Sequence, residues 1–475
     1  MHFILAALVL TVPTVRTPPA APIAPPRVEF RASERLGPFV GHVGPTEATI
    51  WSRVDGPGEW VLEIRDEHWK LIDSKRLYAE ADHDFTIRAT FTGLSPGGSY
   101  LALRVPADET DPEGVADELT KKRRYPAAEF RTTLPPDTGR SITLVVGSCQ
   151  HDDFAKPQPI WERMAALKPD ALLLIGDTPY IDTTDLAVQR RRYREFNSID
   201  GLHTLRKKVP AYATWDDHDF GRNDTDGTLK GKENSRRAFR EYTANPEPAM
   251  QPVNAEVAGP DAFDIGIATS FRLGPAEVFL LDCRWFAGTE PSFADPERKT
   301  LLGAAQWNWL KRSLRASTAP FKLLVCGMVW CDEVRPNKKD YWGAYPHERK
   351  ALFDFLHQER IGGVMLVGGD IHRNRAYRHG RGFSGMDYPL YEVVSSPLGS
   401  KVMRQGDGSP KTNPDMLYDG ADARTFAVIT CDSTAAPAKL TVRWMNDEGR
   451  ELYRIDTDAE ELTPKVSGED GSGAR

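Results

Sequence analysis

An α/β fold preceded by a smaller all-β module is what the sequence predicts, and two changes of rhythm carry the prediction. Up to about residue 133, β-branched and aromatic runs alternate with polar residues at period two and are cut by Gly and Pro. From residue 141 onward, short apolar runs without alternation are separated by stretches of helical spacing, the pattern of strands covered on both faces. A third observation bears on chemistry. Asp216, Asp217, His218 and Asp219 place three carboxylates and an imidazole in four consecutive residues, delivered by the apolar run Val209 to Thr214. So dense a cluster needs counter-charge, and bound cations supply it economically. The alternative is a solvated acidic turn in which Gly221, Asn223 and Asp224 are loop residues.

Taken in order, the chain opens with an apolar run, Phe3 to Val12, then Pro13 and a Pro/Ala-rich segment to Pro26. Residues 1–26 therefore have the shape of a signal peptide, implying a secreted or periplasmic protein that could also associate with a surface. A lipid-anchored or disordered N-terminus is the alternative. The run is shorter than the roughly 20 residues that span a bilayer, and no later stretch qualifies. Residues 27–133 carry the strand-like runs Glu47 to Arg53, Trp60 to Ile64, Phe85 to Phe91 and Tyr100 to Val105. Leu94 to Tyr100 resembles the corner-tyrosine turn of fibronectin type III and immunoglobulin-like sandwiches. Ala107 to Arg124 reads as a charged loop, and residues 134–140 as a linker.

Residues 141–455 form the α/β unit. Strands are expected at Ser141 to Val146, Ala171 to Ile175, Val278 to Leu281, Lys322 to Gly327 and Gly363 to Val367. Helices are expected at Pro159 to Leu167, Leu186 to Phe196, Gln306 to Leu314 and Glu348 to Gln358, giving two sheets sandwiched by helices. Further strands follow at Tyr391 to Ser395, Phe426 to Thr430, Lys439 to Trp444 and Glu451 to Ile455, the last two joined by a turn at Asp447 to Gly449. Residues 456–475 read as a polar, disordered tail.

At 475 residues the chain exceeds one ordinary core, and its net charge of -7 argues against a general nucleic-acid binder. An anionic substrate stays open, since metal ions add local positive charge that composition does not count. The five cysteines, Cys149, Cys283, Cys326, Cys331 and Cys431, are too few for a disulfide framework, and the odd number leaves at least one unpaired. Buried free thiols are the expectation for Cys283, Cys326 and Cys431; Cys326 and Cys331 could pair.

Three apolar strands end in potentially ligating residues: Gly147-Ser-Cys-Gln150, Gly176-Asp-Thr-Pro-Tyr180 and Gly368-Gly-Asp-Ile-His372. In an α/β sheet, ligands gather beyond the carboxyl ends of strands, so these residues could share one crevice with the Asp216 cluster. Each also has a plainer reading: Asp177 as a turn or helix cap, Cys149 as a small buried hydrophobe, and Asp370 with His372 as a surface turn. On an extended chain Asp370 and His372 would point to the same side, a spacing suited to chelation.

From about Phe30 to Ile455 the joint pattern resembles the alkaline phosphatase D family of calcineurin-like metallophosphoesterases. The motifs that carry it are those three strand ends, Trp215-Asp-Asp-His-Asp219 with Gly221 and Asn223, and Leu302-Gly-x-x-Gln-x-x-Trp-Leu310. The resemblance implies an αββα sandwich behind an immunoglobulin-like module. It further implies a ferric ion held by Cys149, Asp177, Tyr180 and His372, with Asp177 bridging to calcium held by Asp370 and the Asp217 to Asn223 region. Thiolate and phenolate suit ferric iron, and carboxylate and amide oxygens suit Ca²⁺. Of the acidic stretch, Asp217 and Asn223 are the residues expected to touch metal. A small-molecule phosphate monoester or diester would be hydrolysed by metal-held hydroxide attacking phosphorus in line. His218 is expected to protonate the leaving group, with Asp219 beside it in the catalytic set; the alternative for His218 is a supporting role, pairing with Asp216 or Asp219. Arg284 could grip phosphate or pair with Asp282. Trp342 and Tyr345 could form an aromatic lid over substrate or merely pack their loop. Gln306 and Trp309 fall at helical spacing, where packing is the default. Two other functions compete: a phospholipid or nucleotide diesterase on the same site, and a cell-surface binding protein with a silent phosphoesterase unit. The intact ligand set argues against the second. No twin arginines precede the apolar run, so general secretion is the expected route.

Overall fold

The computed structural model describes residues 35–109, 125–150, 156–247, 264–403 and 413–465. The expected signal peptide and most of the charged loop at 107–124 lie outside them. Strands β1 (Leu36–Val43), β2 (Glu47–Arg53), β3 (Gly58–Asp66), β4 (Leu71–Ala79), β5 (Thr86–Thr92), β6 (Ser99–Pro106) and β7 (Ala127–Arg131) form two antiparallel sheets, ordered β1-β2-β5 and β4-β3-β6-β7. Val40, Ile50, Leu62, Ile64, Phe91 and Phe130 fill the space between them, as the period-two runs require. The Ser95 N–H donates to the Tyr100 phenol oxygen at 2.8 Å, which is the corner expected of Leu94 to Tyr100.

The α/β unit contains β8 (Ser141–Gly147), β9 (Ala171–Ile175), β10 (Ala211–Thr214), β11 (Thr269–Leu273), β12 (Ala276–Leu280), β13 (Phe321–Val325), β14 (Val364–Gly368), β15 (Asn374–His379), β16 (Leu390–Val394), β17 (Met416–Gly420), β18 (Thr425–Asp432), β19 (Lys439–Asn446) and β20 (Glu451–Asp458). One sheet runs β10-β9-β8-β18-β19-β20 and the other β11-β12-β13-β14-β16-β15-β17. The first is parallel through β8, β9 and β10; the second is parallel through β12, β13, β14 and β16. Ile142, Leu144, Leu173 and Val442 meet Val278, Leu323, Met365 and Val393 in the main core. Helices Ile160–Ala166 and Asp200–Arg206 cover the far face of the first sheet through Trp161, Met164, Leu202 and Leu205. On the other outer flank, helices Gly303–Ala316 and Pro346–Gln358 add Leu310, Leu352 and Leu356. The αββα sandwich is therefore the architecture, and both outer faces of the strands are apolar because both are covered.

Two features differ from expectation. β20 continues to Asp458 and Leu462 is fully buried, so the chain between 456 and 465 belongs to the fold; its Ile455-Asp-Thr-Asp458 alternation is that of an edge strand, which polar composition conceals. Gln306 does more than pack: its amide accepts from the Asp282 N–H at 2.9 Å and donates to the Asp282 carbonyl at 2.8 Å, tying helix Gly303–Ala316 to the loop after β12. The preceding Gly303 has φ +72°, and a Cβ there would lie 2.6 Å from the Phe286 ring, so the Leu-Gly pair of the motif has a backbone reason. Buried Glu348 fixes the same region, accepting from the Ser292 and Thr300 hydroxyls at 2.6 Å and the Leu301 and Leu302 N–H groups at 3.0 Å.

The N-terminal sheets are joined to the α/β unit by shared core and charge. Leu36, Phe39 and Trp51 pack in one cluster with Ile181, Trp215, Phe220, Phe239 and Tyr242. The Trp51 indole donates to the Glu241 carbonyl at 2.7 Å. Asp84 accepts from Arg53 at 3.1 Å, from Arg194 at 2.7 Å and from the Tyr242 hydroxyl. Among the described residues, no helix is long and apolar enough to cross a membrane.

Candidate metal centre

The carboxyl ends of β8, β9, β10 and β14 converge. Cys149 follows β8, Asp177 follows β9, the Asp216 stretch follows β10, and Asp370 with His372 follows β14. The backbone at these points is held in the left-handed region: φ is 58° at Cys149, 54° at Asp177, 68° at Asp370 and 52° at His372. Such a conformation costs a non-glycine residue about 1–3 kcal/mol and persists only where surrounding bonds dictate it. Those bonds are present: the Cys149 N–H donates to the Gly176 carbonyl at 3.2 Å, Gln150 N–H to the Asp177 carbonyl at 2.9 Å and His372 N–H to the Ser396 hydroxyl at 3.1 Å. Asp370 and His372 are accordingly not brought together by strand alternation. The turn instead sends Asp370 to Lys338 and His372 to Tyr180.

Three groups of potential ligands result. Cys149, Asp177 and His372 offer Sγ, a carboxylate oxygen and a ring nitrogen within 4.8 Å of one another. Tyr180 adjoins them, its hydroxyl 2.8 Å from His372 Nε2. Asp177 also belongs to a group with Asp217 and His218, and Asp217 to one with Asp224 and Asp340. Asp177 and Asp217 are thus shared between adjacent groups. Asn223 is exposed and lines the cleft beside them.

The electrostatics ask for added positive charge. Burial pushes the Cys149 thiol and the Asp177 carboxyl well above their usual ranges, with Asp177 adding to the first and Asp217 to the second. Burial likewise takes Asp370 up to about 6, against the pull of Lys338. Asp217 Oδ1 is buried with no hydrogen-bond donor, and its nearest cation, Arg284 Nη2, stands 4.0 Å away. A donor set of thiol, phenol, imidazole and clustered carboxylates, one of them orphaned, fits metal ions.

The acidic stretch divides by direction. Asp216 begins the short helix Asp217–Phe220 and forms a reciprocal capping pair with Asp219, whose Oδ1 accepts from the Asp216 N–H at 2.6 Å and whose Oδ2 accepts from Thr178 N–H at 3.4 Å. Asp219 is buried and turned into the fold, its carboxyl pushed up to about 7 chiefly by burial; it shapes the turn and does not face the cleft, contrary to its expected catalytic place. His218 does line the cleft, and its Nδ1 is 2.6 Å from Asp182 Oδ1. Burial lowers the His218 pKa, but the Asp182 hydrogen bond and the charges of Asp217, Asp182 and Asp219 outweigh it and raise it above the ordinary value.

Arg284 is a further correction. Its side chain is 1% exposed, and its guanidinium is held by Asp216 at 2.8 Å and by Asp340 at 3.1 Å. It therefore neutralises the interior of the site and is sealed from substrate; Asp282, the alternative partner, accepts instead from the N–H groups of Arg284, Trp285 and Ile267. Trp342 is fully buried, stacked on Trp330 at 4.1 Å with its indole donating to Cys326 Sγ at 3.4 Å, and Tyr345 packs against the main core. The aromatic lid is not formed. All five cysteines are buried free thiols.

With this geometry in place, the comparisons with known proteins are specific. A family model described as PhoD-like phosphatase matches residues 144–465. The chain belongs to the PhoD-like phosphatase family. Alkaline phosphatase D of Bacillus subtilis (strain 168) is 23% identical over 394 residues, covering 75% of this chain and 64% of that protein, so the chain spans a little under two thirds of its relative's length. A solved structure of PhoD shares the fold at TM-score 0.70 and 18% identity, over 95% of each chain. The purple acid phosphatase PPD1 from yellow lupin (Lupinus luteus) seeds does so at TM-score 0.62 and 11% identity, over 89% of this chain and 74% of that one.

In this PhoD-like phosphatase, sequence reasoning missed Asp182, Lys338 and Asp340. Asp182 lies two residues beyond Tyr180 and could have been found as a partner for the nearby imidazole. Lys338 and Asp340 lie in the Pro-Asn-Lys-Lys-Asp segment, where no periodicity signals burial, yet they are 8% and 6% exposed. The only available signal was the excess of acid over base around Asp216.

Proposed function

We propose that this PhoD-like phosphatase is an exported, metal-dependent enzyme that hydrolyses organic phosphate esters, monoesters and diesters included. The observation that carries the reading is the convergence of Cys149, Asp177, Tyr180 and His372 beside a cleft of about 250 Å³ that Asp177, His372 and His218 line. Cys149, Asp177, Tyr180 and His372 would hold a ferric ion, and Asp177, Asp217, Asn223 and Asp370 a calcium ion, by the match of donor to metal. Bound there, the ions would supply Lewis-acid charge that lowers the pKa of a water nucleophile and offsets the negative phosphoryl group. Export rests on the apolar run Phe3 to Val12.

The chain's own residues do the rest. Asp182 accepts the Nδ1–H of His218 and so orients the ring, leaving the other ring nitrogen to hand a proton to the departing oxygen. The same carboxylate helps keep the imidazole protonated, the state a general acid needs. Arg335 and Lys338 are spent on Asp224, Asp340 and Asp370, so the positive charge that would attract an anionic substrate has to come from bound ions. Val334, Ile371 and Met403 give the cleft an apolar side, and this favours diesters with an apolar or nucleoside substituent as a second substrate class.

The test is metal analysis of the purified full chain together with hydrolysis of aryl phosphate and bis-aryl phosphate. Iron and calcium should both be present, and Cys149→Ser should lose iron. Turnover of neither ester, or a Cys149→Ser protein with unchanged iron and activity, overturns the reading.

A further inference from the structure

A second cleft, of about 300 Å³, shares no lining residue with the catalytic one. Lys156, Lys401, Arg424 and Asp447 line it, with an apolar side made by Leu398 and Ile160. Unlike Arg335 and Lys338, which carboxylates occupy, Lys401 and Arg424 are exposed and form no ion pair among the described residues. Two uncommitted cations against the one carboxylate of the lining leave this cleft positive. The two clefts are neighbours along the chain. Met403 lines the first and Lys401 the second, and two residues of extended backbone span at most about 7 Å. The segment between the clefts is pinned on both sides. Leu398 N–H donates to the Ser148 carbonyl at 2.8 Å and Ser400 N–H to the Cys149 carbonyl at 3.1 Å, while the Lys401 carbonyl accepts from His372 Nδ1 at 2.9 Å. Gly399 lets it lie this close: a Cβ there would stand 2.5 Å from Gln150 Nε2, which Gln158 Oε1 fixes at 2.9 Å.

We infer that the cleft at Lys401 and Arg424 is a second phosphate-binding site, which receives a phosphate group of the substrate remote from the ester being cleaved. The inference rests on the phosphoesterase reading above and adds to it a preference set outside the catalytic cleft. A guanidinium presents two parallel N–H donors to two phosphate oxygens, and an ammonium takes a third, so the pair Arg424 and Lys401 suits phosphate better than a two-oxygen carboxylate. The short, fixed crest from Lys401 to Met403 sets the length of the spacer: a few methylenes carry a molecule from one cleft to the other. Lys401 and Arg424 are therefore specificity residues, selecting substrates that bear a second phosphate at that reach.

The experiment titrates the full chain calorimetrically with hexylphosphonic acid and with 1,6-hexanebisphosphonic acid, which are not hydrolysed, and measures phosphate release from hexyl phosphate and 1,6-hexanediol bisphosphate. The wild-type protein should bind the bisphosphonate about tenfold or more tighter than the monophosphonate, and should favour the bisphosphate by a similar factor in kcat/KM, through KM. Lys401→Met combined with Arg424→Met should lose most of both differences, and Lys401→Arg, which keeps a cation, should retain them. Equal affinity of the wild type for the two phosphonates overturns the inference, a result that needs no variant to fold. So does an advantage that survives in the double variant. Turnover of neither ester, with the difference in phosphonate affinity intact, overturns the phosphoesterase reading and supports the second site, so the two failures are distinguished.

Discussion

Replacing Arg284 with Met separates a residue that binds substrate from one that neutralises buried charge. The Arg284 side chain is 1% exposed, Asp216 2% and Asp340 8%, so the substitution leaves two carboxylates facing each other with no solvent to replace the guanidinium. Removing one partner of a buried ion pair destabilises by about 3–5 kcal/mol, because the remaining charge stays desolvated. With a melting temperature falling about 2–4 °C per kcal/mol in units of this size, the variant should melt on the order of 10 °C lower. Thermal unfolding followed by far-UV circular dichroism measures this directly, and steady-state kinetics on an aryl phosphate gives the companion reading. Well below the new midpoint, KM should be little changed. A variant with the wild-type melting temperature and a KM raised tenfold or more would refute the reasoning and return Arg284 to the substrate.

Other perturbations follow from the same geometry. Lys322 on β13 is buried with Nζ donating to the Ala319 carbonyl at 2.7 Å, and burial takes its pKa from 10.5 down to about 8. Below about pH 8 both states are protonated and the folded state bears the full desolvation penalty; between there and 10.5 the folded state has released a proton the unfolded state retains, so stability rises with pH, by about 3 kcal/mol at 1.36 kcal/mol per pKa unit. Urea unfolding of wild type and Lys322→Met at pH 7.5 and pH 10 should show this rise in the wild type and lose most of it in the variant. His218→Gln should slow hydrolysis of alkyl phosphates by about 10²–10⁴-fold and of nitrophenyl phosphate far less, since a good leaving group needs no proton; Asp182→Asn should follow the same order more mildly, and equal losses on both esters would argue against the acid role. Tyr100→Phe removes the hydroxyl that accepts from the Ser95 N–H, and denaturant titration should show a loss of about 1 kcal/mol with catalytic constants unchanged.

The site was legible where sequence order and spatial direction coincide. Cys149, Asp177, Tyr180, Asp370 and His372 each follow an apolar strand through a short Gly-punctuated turn, so the strand end fixes where they lie. The acidic stretch was legible only as a whole. Asp219 is spent on capping its own turn and one oxygen of Asp216 on Arg284, while Asp216 Oδ2 and Asp217 Oδ1 stay buried without a donor. Adjacency in sequence carries no information about which way consecutive residues of a tight turn point. Trp342 shows the converse: in a polar, Pro- and Lys-rich segment its indole looked available, yet stacking on Trp330 buries it completely. For the fold, apolar runs located the central strands, whereas β15 and β17 escaped. Arg375 and His379 of β15 are buried because Asp419 and Glu392 pair with them, so polarity concealed an interior strand.

The cluster that joins Phe39 and Trp51 to Trp215, Phe220 and Tyr242 bears on how this chain can be cut. The stretch at 134–140 looks like a natural place to separate a catalytic fragment from its N-terminal β-sandwich. A fragment starting there would lose the aromatic surface on which helix Lys232–Tyr242 and the residues flanking Asp216 to Asp219 rest, and would leave Arg194 without Asp84. The sandwich therefore behaves as a buttress, and a trimmed enzyme should be prone to aggregate through the uncovered tryptophans and soft at the one turn whose shape decides where its carboxylates point.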